Sequence, residues 1–354
     1  MSLIILIFIL DGCAINSYIK AQTPFIDSLC EKGFKTFNCK TVFPTATYTG
    51  HASIVAGTFP EQHGMIGNQF FDRTDNKVKH FDYYNPSEYI QSLTLFEMLN
   101  SLKTMAVAEP ITKGADYIFS MQELNKIPLE ERDAFIFNKS LKWIKENNIR
   151  FGVINFAGVD GYGEIFGPSN KKYLNEITKC DQFLSKIYEK INDKLIMIIT
   201  ADHGMTKISK KFNLTSYFQK KGISGQFLAS HRACHIYFNG KNIELIEELN
   251  QLREIDKIFL KSQTKNINLY HERTGDIVIS ANNGIEFEKD NLNGSHGGYL
   301  KEELYVPLII ISKNYELKYP PDYFSRNFSI LDVAPTVIKM SNMKLKTNFQ
   351  GSAI

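Results

Sequence analysis

Three apolar runs in the sequence are each followed within a few residues by an acidic side chain, and one of these acids has a histidine neighbour. The runs and the residues after them are Leu3 to Leu10 before Asp11, Phe151 to Phe156 before Asp160, and Leu195 to Thr200 before Asp202 and His203. Loops at the carboxyl ends of parallel strands carry the chemistry of an α/β sheet, so these side chains are expected at one edge of it. A single acid could be a helix cap, but three acids with a histidine predict a metal site.

A cluster of hydroxyl residues lies between Val42 and Gly57, where the chain reads VFPTATYTGHASIVAG. Pro44 breaks regular structure here, and a helix is expected from His51 to Val55. A hydroxyl group at such a turn lies near free backbone N–H groups, where an anion is favoured. A threonine at this place is also an ordinary helix cap, and Thr49 is a candidate for that role. The residue types alone leave open whether Thr47 does chemistry.

The elements that position these residues are short apolar runs that alternate with helical patterns. Two further runs, Met105 to Ala108 and Val306 to Ile311, are continuously apolar, as is typical of strands covered on both faces in parallel sheets. The clearest helical pattern extends from about Lys171 to Ile191 and has one apolar and one lysine-rich face. This alternation predicts an α/β fold with a mainly parallel central sheet flanked by helices.

The segment from about Lys211 to Asn293 has a different pattern. It contains a polar helix around Ile243 to Glu254 and short strands such as Asp276 to Ala281. We therefore expect a single domain over residues 1–354, with a small α+β insertion at residues 211–293 that forms one wall of the site.

Composition limits the class of function. Lys and Arg number 41 against 38 Asp and Glu, and the net charge of +3 argues against a dedicated nucleic-acid binder. The five cysteines include no C-x-x-C pair, which argues against a disulfide scaffold and favours a reducing compartment. The Leu3 to Leu10 run lacks a basic region before it and a cleavage site after it, and it is far shorter than the ~20 residues that span a bilayer. A cytoplasmic protein without a membrane partner is expected.

Several motifs, taken in order, resemble the alkaline phosphatase superfamily. The resemblance is strongest to its type I phosphodiesterase/nucleotide pyrophosphatase branch, with phosphonoacetate hydrolase as a near relative. The motifs are Asp11-Gly12, Thr23 to Asp27, Val42 to Thr47, Gly57 to Gly64 with Asn68 after it, Asp202 to Met205, Gly294 to Gly297, and Leu331 to Thr336. Because they cover nearly the whole chain, the resemblance implies an alkaline-phosphatase-like core.

The resemblance also implies roles for single residues. Thr47 would be the covalent nucleophile, Asn68 would donate to a non-bridging phosphoryl oxygen, and Tyr48 would either stack on a nucleotide base or cover the helix start. The implied metal ligands are Asp11, Thr47, Asp202 and His203 for one cation and Asp160 and His296 for a second. Two divalent cations about 4 Å apart can clamp the attacking and leaving oxygens of an in-line displacement. Mixed carboxylate and imidazole ligands suit Zn²⁺ and tolerate Mn²⁺.

One position departs from the superfamily pattern Asp-x-x-Gly-His-x-x-Gly-Pro, which begins here at Asp160. Glu164 stands where histidine is expected, while Gly163, Gly167 and Pro168 keep the register. Either Glu164 is a carboxylate ligand or the second metal site is weak. We favour ligation, and the added negative charge should bias that site toward harder ions such as Mn²⁺.

The remaining histidines carry weaker signals. His51 lies one helical turn after Thr47, where it could contact the nucleophile region or simply pack. His231 and His235 are four residues apart, like a helical zinc pair, but no glutamate follows the first of them as a base. A ligand pair is therefore the less favoured interpretation, and His63 is expected to be structural.

The sequence thus predicts a metal-dependent hydrolase of phosphoric esters. Diester or nucleotide pyrophosphate bonds are favoured, with a small nucleotide-like ester as substrate, because no arginine stands near the matched motifs to neutralise the extra charge of a monoester. Lys113 could take that role. The alternatives are a phosphonate hydrolase or phosphomonoesterase with the same metals, and a phosphate-ester binding protein that lost turnover through the change at Glu164.

Overall fold

The computed structural model describes residues 2–31, 33–238, 243–287, 291–317, 326–343 and 348–354. Its strands are β1 (Leu3–Leu10), β2 (Phe34–Lys40), β3 (Gln69–Asp72), β4 (Lys77–His80), β5 (Thr104–Val107), β6 (Tyr117–Phe119), β7 (Phe151–Phe156), β8 (Lys194–Thr200), β9 (Thr206–Lys207), β10 (Lys210–Lys211), β11 (Gln226–Ser230), β12 (Ala233–Tyr237), β13 (Ile255–Leu260), β14 (Ile277–Ala281), β15 (Ile285–Glu286), β16 (Gly294–Ser295), β17 (Tyr305–Lys313) and β18 (Phe328–Ser329). Its helices are α1 (Ile15–Lys20), α2 (Pro24–Cys30), α3 (Thr47–Ala56), α4 (Pro60–His63), α5 (Leu95–Met98), α6 (Met121–Leu124), α7 (Leu129–Glu146), α8 (Gly158–Phe166), α9 (Lys171–Lys190), α10 (Leu214–Lys220), α11 (Ile243–Gln251), α12 (Lys301–Leu304) and α13 (Val333–Met340). Within these described ranges, none of the helices combines the length and apolar character that a membrane crossing requires.

The central sheet has eight strands in the order β18-β2-β17-β8-β1-β7-β5-β6. Neighbouring strands are parallel except at β17, which is antiparallel to both β2 and β8. Every residue of β1 from Ile4 to Leu10 is buried, because both faces of the strand are covered. The predicted α/β class and mainly parallel sheet are confirmed. The Val306 to Ile311 run lies in β17, where burial on both faces makes an antiparallel strand continuously apolar.

Of two helices in the core, α9 begins where the sequence places it and α3 begins earlier. Helix α9 starts after Asn170, whose Oδ1 accepts a hydrogen bond from Lys172 N at 2.9 Å. Helix α3 begins at Thr47, earlier than expected, and the residue before it, Ala46, makes no side-chain cap. Thr49 is therefore inside the first turn and buried, so the interpretation of Thr49 as the helix cap is wrong.

A second, antiparallel sheet has four strands in the order β11-β12-β14-β13. It has an apolar cluster of its own that includes Phe218, Ile236 and Ile279. Strands β11 and β12 are joined by a two-residue turn, because Ser230 pairs with Ala233. The sheet lies within the predicted insertion, of which residues 239–242 and 288–290 are outside the described residues. The boundaries at residues 211 and 293 stay a prediction.

Candidate metal centre

The carboxyl ends of β7, β1 and β8 lie side by side, because β1 pairs with β7 on one side and β8 on the other. The side chains that follow them, together with others from α8 and the loops, form three overlapping groups whose ligand atoms lie within 4.8 Å of one another. The groups are Asp11, Asp202 and His203; Asp160, His203 and His296; and Glu164, His231 and His296. The structure thus brings together every carboxylate and imidazole that the sequence proposed as a metal ligand, and adds His231.

The first group surrounds a small space between two strand ends. His203 Nε2 lies 3.1 Å from Asp202 Oδ2 and 3.7 Å from Asp11 Oδ1. Thr47 Oγ1 lies 3.3 Å from the same nitrogen. Asp11 Oδ1 and Asp202 Oδ2 are buried and accept no hydrogen bond within the part of the chain that the structure describes. Two such oxygens beside an imidazole nitrogen fit a divalent cation.

The two buried carboxylates of this group also favour a positive charge between them. Burial raises the pKa of Asp202 to about 6, and the negative charge of Asp11 adds to the shift. Burial also acts to raise the pKa of Asp11, but the hydrogen bond and charge of His51 outweigh it and lower that pKa. Two buried carboxylates this close repel each other when both are ionised, and a cation between them removes the repulsion.

Hydrogen bonds fix the tautomers of two histidines in the site. His203 Nδ1 donates to the carbonyl oxygen of Gly204 at 3.0 Å, and His296 Nδ1 donates to that of Thr45 at 2.9 Å. In the neutral form of each ring, Nε2 is then the nitrogen with the lone pair, and the two rings stack with centroids 3.6 Å apart. An imidazole that donates its other N–H to a carbonyl oxygen is the usual arrangement of a metal-bound histidine.

The other two groups share His296. Asp160 and Glu164 are four residues apart on α8 and share one of its faces. His296 Nε2 lies 3.8 Å from Asp160 Oδ1 and 3.9 Å from Glu164 Oε1. His231 also faces this group, with its Nδ1 at 3.4 Å from Glu164 Oε1.

His231 and His235 do not form a ligand pair. They belong to a hairpin, and His235 Nε2 donates to the carbonyl oxygen of Ile66 at 2.9 Å. No local spacing links His231 to Glu164, because the two residues come from the second sheet and from a helix of the core. The sequence therefore held no signal for this contact.

His51 lies behind the first group, and its Nε2 is 3.8 Å from Asp11 Oδ2 and 3.7 Å from Asp202 Oδ2. Its Nδ1 is 2.7 Å from Glu109 Oε2, and all four side chains are buried. Burial acts to lower the pKa of His51, but the charge of Glu109 and the hydrogen bonds to the acids outweigh it and raise the pKa well above the ordinary value. His51 therefore has the contact with the site that the sequence left open.

Two glycines permit the close approach of the backbone around Thr47. A Cβ at Gly50 would lie 2.6 Å from the carbonyl oxygen of Asp202, and one at Gly12 would lie 2.5 Å from Asp160 Oδ1. Gly12 also has a φ of +65°, which favours glycine. Because α3 rests directly on the loop after β8, its first residue, Thr47, is held beside His203.

A cavity of about 260 Å³ opens over the site, and its lining includes Thr47, Tyr48, Asn68 and Asp160. The Tyr48 ring packs against Phe81 with centroids 5.1 Å apart. The backbone N–H of Asn68 donates to Ser230 Oγ at 2.9 Å, which anchors this residue at the rim. Both side chains that the sequence proposed for substrate contact therefore border the same space as Thr47.

The sequence has no arginine near the matched motifs, yet Arg132 of α7 lines the cavity. Its Nε donates to the carbonyl oxygen of Ile127 at 3.1 Å, which fixes the guanidinium. Lys113 has its Nζ 3.6 Å from Glu97 Oε1 and is not among the residues that line this cavity, so its role toward the substrate stays a prediction. Arg132 escaped notice because it lies on a helix outside the matched motifs.

Residues 5–302 match the family model described as type I phosphodiesterase / nucleotide pyrophosphatase. A bis(5'-adenosyl)-triphosphatase of Pongo abelii is 25% identical over 214 residues, which are 55% of this chain and 45% of that protein. The chain spans about half the length of the curated relatives it matches.

Solved structures share the fold over nearly the whole chain. An inactive threonine-to-alanine variant of murine ectonucleotide pyrophosphatase/phosphodiesterase 5, in complex with AMP, has a TM-score of 0.81 at 21% identity and covers 99% of this chain and 98% of its own. Phosphonoacetate hydrolase from Sinorhizobium meliloti 1021, in complex with phosphonoformate, has a TM-score of 0.76 at 17% identity and covers 96% of both chains. The alkaline-phosphatase-like resemblance is confirmed.

Proposed function

The chain belongs to the type I phosphodiesterase/nucleotide pyrophosphatase family, and from this premise we propose that it hydrolyses phosphoric esters, preferring diester or nucleotide pyrophosphate bonds. The observation that carries the proposal is the position of the Thr47 hydroxyl. It lies at the start of α3, 3.3 Å from His203 Nε2 and next to the buried acids Asp11 and Asp202. A hydroxyl beside an imidazole and two carboxylates is positioned to act as an activated nucleophile.

The donor sets suit two divalent cations, Zn²⁺ by preference and Mn²⁺ at the site of Glu164. Asp11, Asp202 and His203, with Thr47, would hold the first, and the second would lie among Asp160, Glu164 and His296. Bound there, such cations would favour ionisation of the Thr47 hydroxyl and would offset the negative charge that develops during the displacement.

The residues of the chain set the rest of the proposed reaction. Thr47 Oγ1 gives up its proton and forms a bond to phosphorus while the bond from phosphorus to the leaving oxygen breaks. The leaving group is an alcohol from a diester or a phosphate from a pyrophosphate, and it departs with a proton in place of the one that Thr47 lost. Water then cleaves the phosphothreonyl ester and restores the threonine hydroxyl. The side-chain amide of Asn68 donates to a non-bridging oxygen, and the free N–H groups at the start of α3 favour the anion. The AMP complex of the murine threonine-to-alanine variant supports a nucleotide-like ester as substrate.

Arg132 favours a second candidate function, the hydrolysis of a phosphomonoester or a phosphonate. A guanidinium in the cavity wall can neutralise the additional negative charge of such a substrate. The choice between the first and the second candidate function depends on which part of the substrate reaches Arg132. Parallel rates for an aryl diester, an aryl monoester and phosphonoacetate decide it, and Arg132→Met should depress only the substrates with the additional charge.

The proposed nucleophile is tested by comparing Thr47→Ala with the matched variant Thr47→Ser. Thr47→Ala should abolish turnover of an aryl phosphodiester while it retains the fold and most of the bound metal. Thr47→Ser retains the hydroxyl and should remain active. More than a few per cent of activity in Thr47→Ala would exclude Thr47 as the nucleophile, and an inactive wild-type protein loaded with Zn²⁺ or Mn²⁺ would favour the non-catalytic binding protein.

A further inference from the structure

Glu164 faces a histidine from a different part of the fold. His231 lies in the turn between β11 and β12, and its Nδ1 is 3.4 Å from Glu164 Oε1. We propose that His231 is a ligand of the second metal, which Asp160, Glu164, His231 and His296 hold together. The inference rests on the two-metal site of the proposed function.

The position of the His231 ring is that of a ligand. His231, Glu164 and His296 each offer one atom to a common space, and these atoms lie within 4.8 Å of one another. The rings of His231 and His296 have centroids 4.1 Å apart and planes at 39°. Only 4% of His231 is exposed, so its ring is committed to this interior.

The four proposed ligands together account for the glutamate at position 164. This chain has a carboxylate where the superfamily pattern has histidine, so the second site has one imidazole fewer. His231 supplies an imidazole from the second sheet. The set then has two carboxylates and two imidazoles, and its charge balances that of one divalent cation.

The turn that carries His231 has a backbone conformation that favours glycine. His231 and Arg232 are its two central residues, and the φ of His231 is +57°. Two-residue hairpin turns with a positive φ at the first position usually have glycine there. Residues held in such conformations cluster at functional sites, where the surroundings maintain the strain.

Contacts around this turn hold it against the loop that carries His296, the other imidazole of the set. The backbone N–H of Arg232 donates to the carbonyl oxygen of His296 at 2.9 Å. The Arg232 guanidinium is buried, and its Nε donates to Glu303 Oε1 at 2.9 Å. A Cβ at Gly297 would lie 2.3 Å from the carbonyl oxygen of Ser230, so the turn and this loop are in direct contact. His231 and His296 are thus held as one unit.

The alternative to ligation is that His231 only orients an acid. Its Nδ1 lies 4.0 Å from Glu286 Oε1 as well as near Glu164, so an ion pair with either is the competing role. Removing a residue that only orients a ligand weakens metal binding ~10- to 100-fold. The loss of a ligand should exceed that range, and the size of the loss separates the two roles.

The test measures the metal content of the full chain and its affinity for Zn²⁺ and Mn²⁺ by competition with a chromophoric chelator. His231→Gly and His231→Asn both tolerate a positive φ and should therefore fold. We expect two equivalents in the wild-type protein and a loss of more than ~100-fold in the second affinity only, in both variants. The metal-free His231→Gly protein should be no less stable to urea than the wild type, because glycine relieves the turn. The matched control is His235→Ala, which removes a buried histidine that hydrogen-bonds to the carbonyl oxygen of Ile66 and belongs to none of the three ligand groups of the described residues. This variant should leave both affinities unchanged.

Each outcome bears on a different statement. Fewer than two equivalents in the wild-type protein would overturn the two-metal site of the proposed function and this inference together. Two equivalents in the wild type, with a loss of ~100-fold or less in His231→Gly, would overturn this inference alone. Equal losses in His231→Gly and His235→Ala would overturn it as well, because they would trace to the stability of the second sheet.

Discussion

Replacing Arg232 by methionine should destabilise the protein strongly, because it breaks an ion pair whose two side chains are fully buried. Arg232 Nε lies 2.9 Å from Glu303 Oε1, and both side chains have 0% exposure. Removing one partner of such a pair leaves an uncompensated buried charge, which costs ~3–5 kcal/mol. Glu303 keeps two backbone donors, from Gly298 at 2.8 Å and Leu300 at 3.1 Å, so the lower end of this range is expected.

Carbonyl groups add to this cost. The Arg232 guanidinium also donates to the carbonyl oxygens of Ala281 and Asn282, both at 3.1 Å, and to that of Ile285. A buried acceptor left without a donor costs ~1–3 kcal/mol, although water that enters the space offsets a part. We therefore expect Arg232→Met to lower the free energy of unfolding by about 3–5 kcal/mol in total.

The assay is urea unfolding of the metal-free protein by linear extrapolation, which separates folding from metal binding. The matched control is Lys35→Met, since Lys35 Nζ lies 2.7 Å from Asp27 Oδ1 but the side chains are 26% and 53% exposed. An exposed pair contributes ~0–1 kcal/mol. The double variant Arg232→Met/Glu303→Gln should recover part of the loss, because it removes the unpaired charge. A loss for Arg232→Met no larger than that for Lys35→Met would refute the reasoning.

Three further predictions follow from the described contacts. Asn68→Ala should lower kcat for an aryl diester ~10²–10³-fold by removing one phosphoryl donor, and an unchanged kcat would exclude the role. Glu164→His should shift the preference of the second site from Mn²⁺ toward Zn²⁺ and improve monoester turnover relative to diester, because it removes a negative charge; unchanged relative affinities by chelator competition would contradict this. Burial, with the charge of Glu176, raises the pKa of Asp133 to about 8, so the folded state holds a proton that the unfolded state releases above pH ~4. The wild-type protein should therefore lose stability from pH ~4 to ~8 relative to Asp133→Asn, and a difference in unfolding free energy that does not change with pH would count against the shift.

The central strands could be predicted because burial on both faces leaves a continuous apolar run in the sequence. The same run does not encode direction, and the antiparallel orientation of Val306 to Ile311 depends on the path of the chain between strands. Strand β2 went unnoticed since FKTFNCK mixes buried and partly exposed residues and resembles neither a continuous nor an alternating pattern.

The residues of the site also divide into those that the sequence predicts and those that it does not. Asp11 directly follows β1, and Asp202 and His203 come two and three residues after β8, so their meeting was predictable from the topology of a parallel sheet. His231 and Arg132 come from the second sheet and from α7, and their distance from the other site residues depends on how whole elements pack. No local spacing encodes such packing. The prediction that Thr49 caps helix α3 is wrong for a local reason, because the helix begins two residues before Thr49 and has no side-chain cap.

The contact between Gly50 and the Asp202 carbonyl has a consequence for how this protein can vary. The gap between the proposed nucleophile and the strand end is set by backbone against backbone, and even one methyl group would occupy it. Position 50 does no chemistry, yet we expect any side chain there to displace α3 from the strand end. Changes to the cavity lining can therefore alter what the cavity accepts without moving the Thr47 hydroxyl relative to the acids.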